Sequence, residues 1–306
     1  MTERVGFIGV GKMGAPMVRR LLAAGHTVHL HDVSEAALAP FRGLERVALE
    51  ASAQGVASCV PVVLLSLPGP AELEAVALGP QGIVAAGAGR CVIDLSTCGV
   101  AAARRVAAAL AEAGIGYVDA PVSGGPRGAE RGTLAVMAAG PGDLVERYRG
   151  LLSVFGSRVF AVGTQPGQGQ AMKLVNNMLS ATAMAATSEA MVVAARAGLA
   201  PATALEVLNA SSGMNTATRD KFPQEVVTRT FNYGFATGLM YKDVKLFEEL
   251  AQSLGVPTFV GDAVAGMWRF AVDRGTAQQD ITTLVRFYEQ WAGVEVGGRE
   301  AGTEAR

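Results

Sequence analysis

Lys173 stands where chemistry can be done. It is the first charged side chain in an apolar stretch that opens at Gly167-Gln168-Gly169 and closes at Gly198, and the next is Glu189. The stretch is rich in Ala, Met, Leu and Val and has no proline. It predicts one long helix, stopped at Gly198 by a C-terminal glycine cap. A helix so poor in charge is expected to be buried over most of its circumference. An ammonium on its first turns then needs a partner or a task. Asn176 and Asn177, three and four residues on, share its face. A lone lysine commonly packs its stem and solvates its head. Two adjacent asparagines inside a helix have no such packing reason. Together the three side chains make a lysine that merely packs its stem less expected, and what precedes the helix decides the matter.

A second constellation lies at the N-terminus. Residues 4–10 read as a short buried strand running into Gly9-Val10-Gly11-Lys12-Met13-Gly14. A helical pattern follows from Ala15 to Ala24, closed by Gly25, and a second strand from Thr27 to Leu30 ends at His31-Asp32. A G-x-G-x-x-G between strand and helix, with an acid ending the next strand, is the full dinucleotide fingerprint. Gly9 permits the tight turn, Gly11 the approach of a pyrophosphate, and Gly14 close helix–strand packing, with the helix N-terminus facing the phosphates. Asp32 would bind the adenosine ribose hydroxyls. A 2′-phosphate would meet its charge, and Val33-Ser34 offers no arginine, so NAD is expected over NADP.

The elements that must position these residues alternate. Strands are expected at 60–67, 91–94 and 116–119, with a helix over 101–113. This predicts an α/β fold whose parallel sheet is covered on both faces, with ligands beyond the carboxyl ends of its strands. Leu67-Pro68, Thr97 and Ser123 lie at or just past such ends. Ser123-Gly124-Gly125 could expose consecutive N–H groups as a nest for a carboxylate, or be an ordinary turn. After Gly198 the pattern is helical, with a short helix over 201–209 and a break at Ser211-Ser212-Gly213. An irregular segment begins at Phe222-Pro223, and helices follow to Leu254, from Gly261 to Arg274 and from Asp280 to Trp291. Phe231, Tyr233, Phe235, Trp268 and Tyr288 are expected in a core or subunit interface. The expected organisation is a Rossmann-type doubly wound sheet over 1–164, an all-α substrate and oligomerisation domain over 165–296, and a flexible tail over 297–306. The long helix joins the two domains.

Composition bounds the rest. Half of the 306 residues are hydrophobic and the net charge is −1, so no basic field invites nucleic acid or an anionic membrane. Cys59, Cys91 and Cys98 lack metal-ligand spacing and read as reduced core thiols, so no metal is expected. No signal peptide and no uninterrupted membrane-crossing run is read, and a cytoplasmic location is expected.

These motifs resemble the β-hydroxyacid dehydrogenases, the family of 3-hydroxyisobutyrate dehydrogenase and tartronate semialdehyde reductase. The resemblance covers nearly the whole chain. It rests on residues 6–14 with Met17, on Asp94-Leu95-Ser96-Thr97, and on residues 119–125 with Gly128-Ala129 and Gly132-Thr133-Leu134. Gly167-x-Gly169-x-x-x-Lys173-x-x-Asn176-Asn177 and Lys242-Asp243 complete it. The resemblance implies a 6-phosphogluconate dehydrogenase-like C-terminal domain and a homodimer or homotetramer. It makes Lys173 the general acid/base in hydride transfer between a small β-hydroxy acid and nicotinamide. Asn177, with Asn176 secondary, would orient the substrate, and Ser123, Gly124 and Gly125 would hold its carboxylate. Leu67, Pro68, Thr97 and Lys242 would contact the cofactor. A free lysine, with a pKa of roughly 10.4, is a poor base at neutral pH, and burial should lower that value. Two departures stand out. Val100 replaces a proline usual after the Ser-Thr pair, and Met214 replaces an arginine common in a loop near the substrate, which leaves substrate identity open. An imine reductase on the same fold, or a non-catalytic dinucleotide-binding scaffold, are the alternatives.

Overall fold

The computed structural model describes residues 3–297, so the expected tail lies outside the described residues, Gly297 apart. Its first half alternates as β1 (Arg4–Ile8), α1 (Gly14–Ala23), β2 (Thr27–His31), α2 (Glu35–Leu38), β3 (Val47–Leu49), α3 (Ala53–Cys59), β4 (Val62–Leu65), α4 (Pro70–Leu78), β5 (Cys91–Asp94), α5 (Val100–Glu112) and β6 (Gly116–Asp119). It continues through β7 (Val122–Ser123), α6 (Gly125–Arg131), β8 (Ala135–Ala139), α7 (Gly142–Leu152) and β9 (Arg158–Gly163).

The sheet order is β3-β2-β1-β4-β5-β6-β8-β7, with β9 on β8. The first six positions pair in parallel. This is the 3-2-1-4-5-6 order of a doubly wound sheet. β4 and β5 are buried at every residue, which explains the unbroken Val and Leu run of β4. Phe7, Leu64, Ile93 and Val118 pack on one face against Met17, Leu21 and Leu152. Ile8, Val63, Leu65 and Val92 pack on the other against Val56, Val106 and Leu110.

The alternation predicts a parallel sheet, and the observed sheet departs from that. β8 runs antiparallel to β6 and β7. The two-residue β7 and seven-residue α6 are too short to carry the chain back across the sheet, so it returns in the opposite direction.

α8 (Gln168–Arg196) begins in this first unit, and the chain divides between Leu174 and Val175. Gly198 takes φ +81° just beyond it, and Gly198 N and Leu199 N donate to the carbonyls of Ala195 and Ala194, closing the helix as the glycine predicted. Burial differs from expectation, because Val175, Leu179 and Val193 are exposed. By length and composition α8 could cross a membrane, although Lys173, Asn176 and Asn177 interrupt its apolar run.

The second unit continues with α9 (Pro201–Asn209), α10 (Thr237–Ser253), α11 (Phe259–Ala271) and α12 (Val285–Ala292). Phe222-Pro223 does not start an irregular segment. Both lie inside a wide, π-type helical run, Ala217–Val226. A proline cannot donate to a helical ladder, and a widened turn accommodates that loss. Trp268 is fully buried in this unit's core, with Phe231, Tyr233, Phe235 and Tyr288 packed around it in part-buried positions.

Candidate active site

The glycine loop is constrained as its sequence requires. Gly9 has φ +92°, and a methyl group there would lie 2.3 Å from the Ser66 carbonyl oxygen. At Gly14 it would lie 1.9 Å from the Gly9 carbonyl oxygen, so α1 can approach β1 only without a side chain. Gly11 faces open space, with no atom within 4 Å of the same position. No side chain caps the start of α1, where Ala15 N donates to Gly11 O at 2.9 Å and Pro16 has no N–H, so the helix end keeps its positive dipole for an anion. The Asp32 carboxylate accepts from Val10 N at 2.7 Å and from Ser34 N at 2.8 Å. It thereby fixes the loop to the end of β2 while retaining acceptor capacity. Val33 beside it is almost wholly exposed. Open backbone at Gly11, an uncapped helix start and a carboxylate at the β2 end together fit a dinucleotide.

The neighbouring loops are tied to one another. Leu67 N donates to Ser96 Oγ at 2.8 Å, and Ser96 N donates to Asp94 Oδ1 at 2.9 Å. Tyr117 donates its hydroxyl proton to Asp94 Oδ2 at 3.1 Å. Burial, reinforced by the charge of Asp94, pushes the Tyr117 phenol well above its ordinary range. Pro68 and Thr97 lie in these loops after β4 and β5. Ser123 ends β7, Gly124 and Gly125 take φ +132° and +64°, and Gly125 faces open space.

Residues with no role assigned from sequence place Lys173. Asp119, fully buried at the end of β6, accepts from Gly167 N at 2.9 Å and Gln170 N at 2.8 Å. It caps the start of α8. Burial raises its carboxyl to about 6, while those two N–H donors oppose the shift. The Gln170 side chain, also fully buried, accepts from Cys98 N at 2.9 Å and Gly99 N at 3.1 Å and donates to Ser96 O at 2.9 Å. A methyl group on Gly169 would lie 2.5 Å from the Met137 carbonyl oxygen. The first turn of α8 is therefore pinned against the loops after β5 and β6, and Lys173 follows one turn later, 8 % exposed. One signal was available in sequence: Asp119 ends β6 as Asp32 ends β2.

In the second unit, Asn177 Nδ2 donates to Asp243 Oδ2 at 2.5 Å and Asn176 Nδ2 donates to Asn177 Oδ1 at 3.0 Å. Lys242 Nζ lies 3.1 Å from Asp243 Oδ1, an ion-pair separation in which that oxygen accepts no aligned hydrogen bond. Asp243 thus links two expected site residues, and its buried carboxylate fixes the Asn177 amide. Met214 is exposed beyond α9.

Residues 4–163 match the family model for the NAD-binding domain of 6-phosphogluconate dehydrogenase. Residues 167–288 match that for the NAD-binding of NADP-dependent 3-hydroxyisobutyrate dehydrogenase. The chain is 36 % identical over 296 residues to 2-(hydroxymethyl)glutarate dehydrogenase of Eubacterium barkeri, covering 96 % of this chain and 98 % of that one. It is 37 % identical over 303 residues to 3-hydroxyisobutyrate dehydrogenase of Pseudomonas aeruginosa, covering 94 % and 99 %. Among solved structures, 3-hydroxyisobutyrate dehydrogenase of Mycobacterium tuberculosis with L-serine superposes with a TM-score of 0.85 at 31 % identity, over 94 % of this chain and 99 % of that one.

Proposed function

The chain belongs to the β-hydroxyacid dehydrogenase family, and we propose that it interconverts a small β-hydroxy acid and its semialdehyde or ketone with NAD, using Lys173 as general acid/base. That it is a hydroxy-acid dehydrogenase using a nicotinamide dinucleotide follows from the family. The finer reading rests above all on the clamp at the start of α8. Asp119 and Gln170 hold Lys173 one turn beyond the loops that close the carboxyl edge of the sheet.

When bound, the nicotinamide exchanges a hydride with the substrate carbon. The glycine loop and the start of α1 would hold the pyrophosphate, and Asp32 the ribose hydroxyls. Ser123, Gly124 and Gly125 would receive the substrate carboxylate. In oxidation Lys173 Nζ takes the hydroxyl proton as hydride leaves; in reduction it returns one to the forming alkoxide. Asn177 has one amide proton beyond the one given to Asp243, enough to hold the substrate oxygen. NAD is favoured because Asp32 would oppose a 2′-phosphate and neither Val33 nor Ser34 can neutralise one.

The apolar stripe on α8 supports self-association as a dimer or tetramer. The test of the chemistry is nucleotide reduction against a panel of 2- and 3-hydroxy acids, with NAD and NADP in parallel. One substrate should dominate with NAD, and Lys173→Ala should lose at least about 100-fold in kcat, the scale of a general acid/base, while binding NADH nearly as well. Wild-type turnover in that variant would end the role of Lys173, and preference for NADP would end that of Asp32.

A further inference from the structure

Beyond the hydroxy-acid site, a second group of side chains in the first unit has the composition of a metal centre. His29 in β2, Glu50 immediately after β3 and Cys59 at the last position of α3 present one nitrogen, one oxygen and one sulfur donor within 4.8 Å of one another. Their separation in sequence hides them. The fold gathers them because β3 lies beside β2 and α3 returns the chain alongside β2. The cysteines were expected to be core thiols. Cys91 and Cys98 are buried, but Cys59 is only half-buried.

The framework around the three donors is fixed. Glu50 N donates to Leu30 O at 2.8 Å, and His31 Nδ1 donates to Glu50 O at 3.0 Å. Ser52 caps α3 by accepting from Gly55 N at 3.0 Å. His29 Nδ1 and Glu50 Oε1 are 2.8 Å apart, with the side chains 14 % and 22 % exposed, so an ion can reach them from solvent.

We propose that His29, Glu50 and Cys59 form a binding site for a borderline-soft divalent ion of the zinc class, with the fourth position open to water. A mixed N, O and S set selects zinc-like ions over calcium or magnesium, which take oxygen alone. Zinc–ligand lengths of about 2.0–2.3 Å place tetrahedral donors about 3.3–3.8 Å apart. The His29–Glu50 pair must therefore open by about half an ångström and the widest pair close by about one, which side-chain torsions allow. On binding, Cys59 gives up its thiol proton to solvent. The proton on a neutral His29 moves from Nδ1 to Nε2, freeing Nδ1 to coordinate, and the carboxylate of Glu50 supplies the third bond. The ion would fasten β2, the end of β3 and the end of α3 to one another.

Cobalt(II) is the probe, added to full-length protein stripped with a chelator. One equivalent should give the intense visible bands of a four-coordinate ion and a near-ultraviolet thiolate-to-cobalt band, both erased by zinc. Cys59→Ser should abolish the thiolate band, and Cys59→Ser and His29→Gln should each weaken binding by more than about tenfold, a loss that even outer-shell changes can cause. Circular dichroism and melting without metal establish that both variants fold. A thiolate band surviving in Cys59→Ser, wild-type affinity in either variant, or no cobalt binding at sub-millimolar concentration would each reduce the cluster to a His–Glu pair beside a bystander thiol.

Discussion

Asp119 illustrates how a single buried carboxylate can hold a site without touching a substrate. Its two oxygens accept the N–H groups of Gly167 and Gln170, 48 and 51 residues away. Its carboxyl is raised from 3.8 to about 6, chiefly by burial. A raised carboxyl keeps more protons in the folded chain than in the unfolded one. Its contribution to stability is therefore complete below about pH 3.8 and is lost as pH rises through about 6. Asp119→Asn removes that titration and leaves one of the two donors badly paired, at a cost of about 1–3 kcal/mol. Urea unfolding of both proteins between pH 4 and 7 should show the advantage of the wild type narrowing as pH rises. An advantage that widens would mean that the two N–H bonds outweigh burial. Gly9, Gly11 and Gly14 were legible from sequence because their constraint is local, in the backbone itself. The cap by Asp119 was not, since it pairs groups that only the completed sheet brings together, and the His29–Glu50–Cys59 cluster was hidden for the same reason.

At the scale of elements, α8 carries the most information. Its span was readable because an Ala- and Met-rich run bounded by glycines has one good solution. The exposed side was not, because an apolar composition cannot say which stripe lacks neighbours. The reversal at β8 was missed for a related reason: interleaved strand and helix patterns do not encode strand direction, whereas the length of the connection does. Pro223 likewise marks a break only in a regular α-helix, and here the helix widens around it. Gln170 tests whether pinning the first turn of α8 matters to catalysis. Gln170→Ala leaves Cys98 N, Gly99 N and Ser96 O without the partners they now have, each loss being worth about 1–3 kcal/mol until water substitutes. Melting temperature should fall, and kcat should drop about tenfold or more while NADH affinity stays within about threefold, since a misplaced catalytic group affects the reacting geometry first. Equal losses in kcat and NADH affinity would instead assign Gln170 a general structural role.

On the scale of the whole molecule, the apolar stripe on α8 remains to be accounted for. Val175, Leu179 and Val193 are 40 %, 67 % and 68 % exposed, and Ala186 and Ala190 are exposed between them. Their spacing puts all five on one side of the helix. A contiguous apolar stripe on a water-facing helix marks a surface that another chain covers more often than one left bare, and the two-fold pairing of identical helices is the commonest way to cover it. The stripe lies on the opposite circumference from the buried Lys173, Asn177 and Ser188, so changing it leaves the expected catalytic side chains in place. Leu179→Glu combined with Val193→Glu should therefore shift the mass measured by light scattering after gel filtration from a dimer or tetramer to a smaller species. Its far-ultraviolet circular dichroism should remain that of the wild type, because neither side chain enters the core of its own unit. A wild-type monomer, or a double variant that keeps the wild-type mass, would remove α8 from any subunit interface and leave the stripe as bare surface.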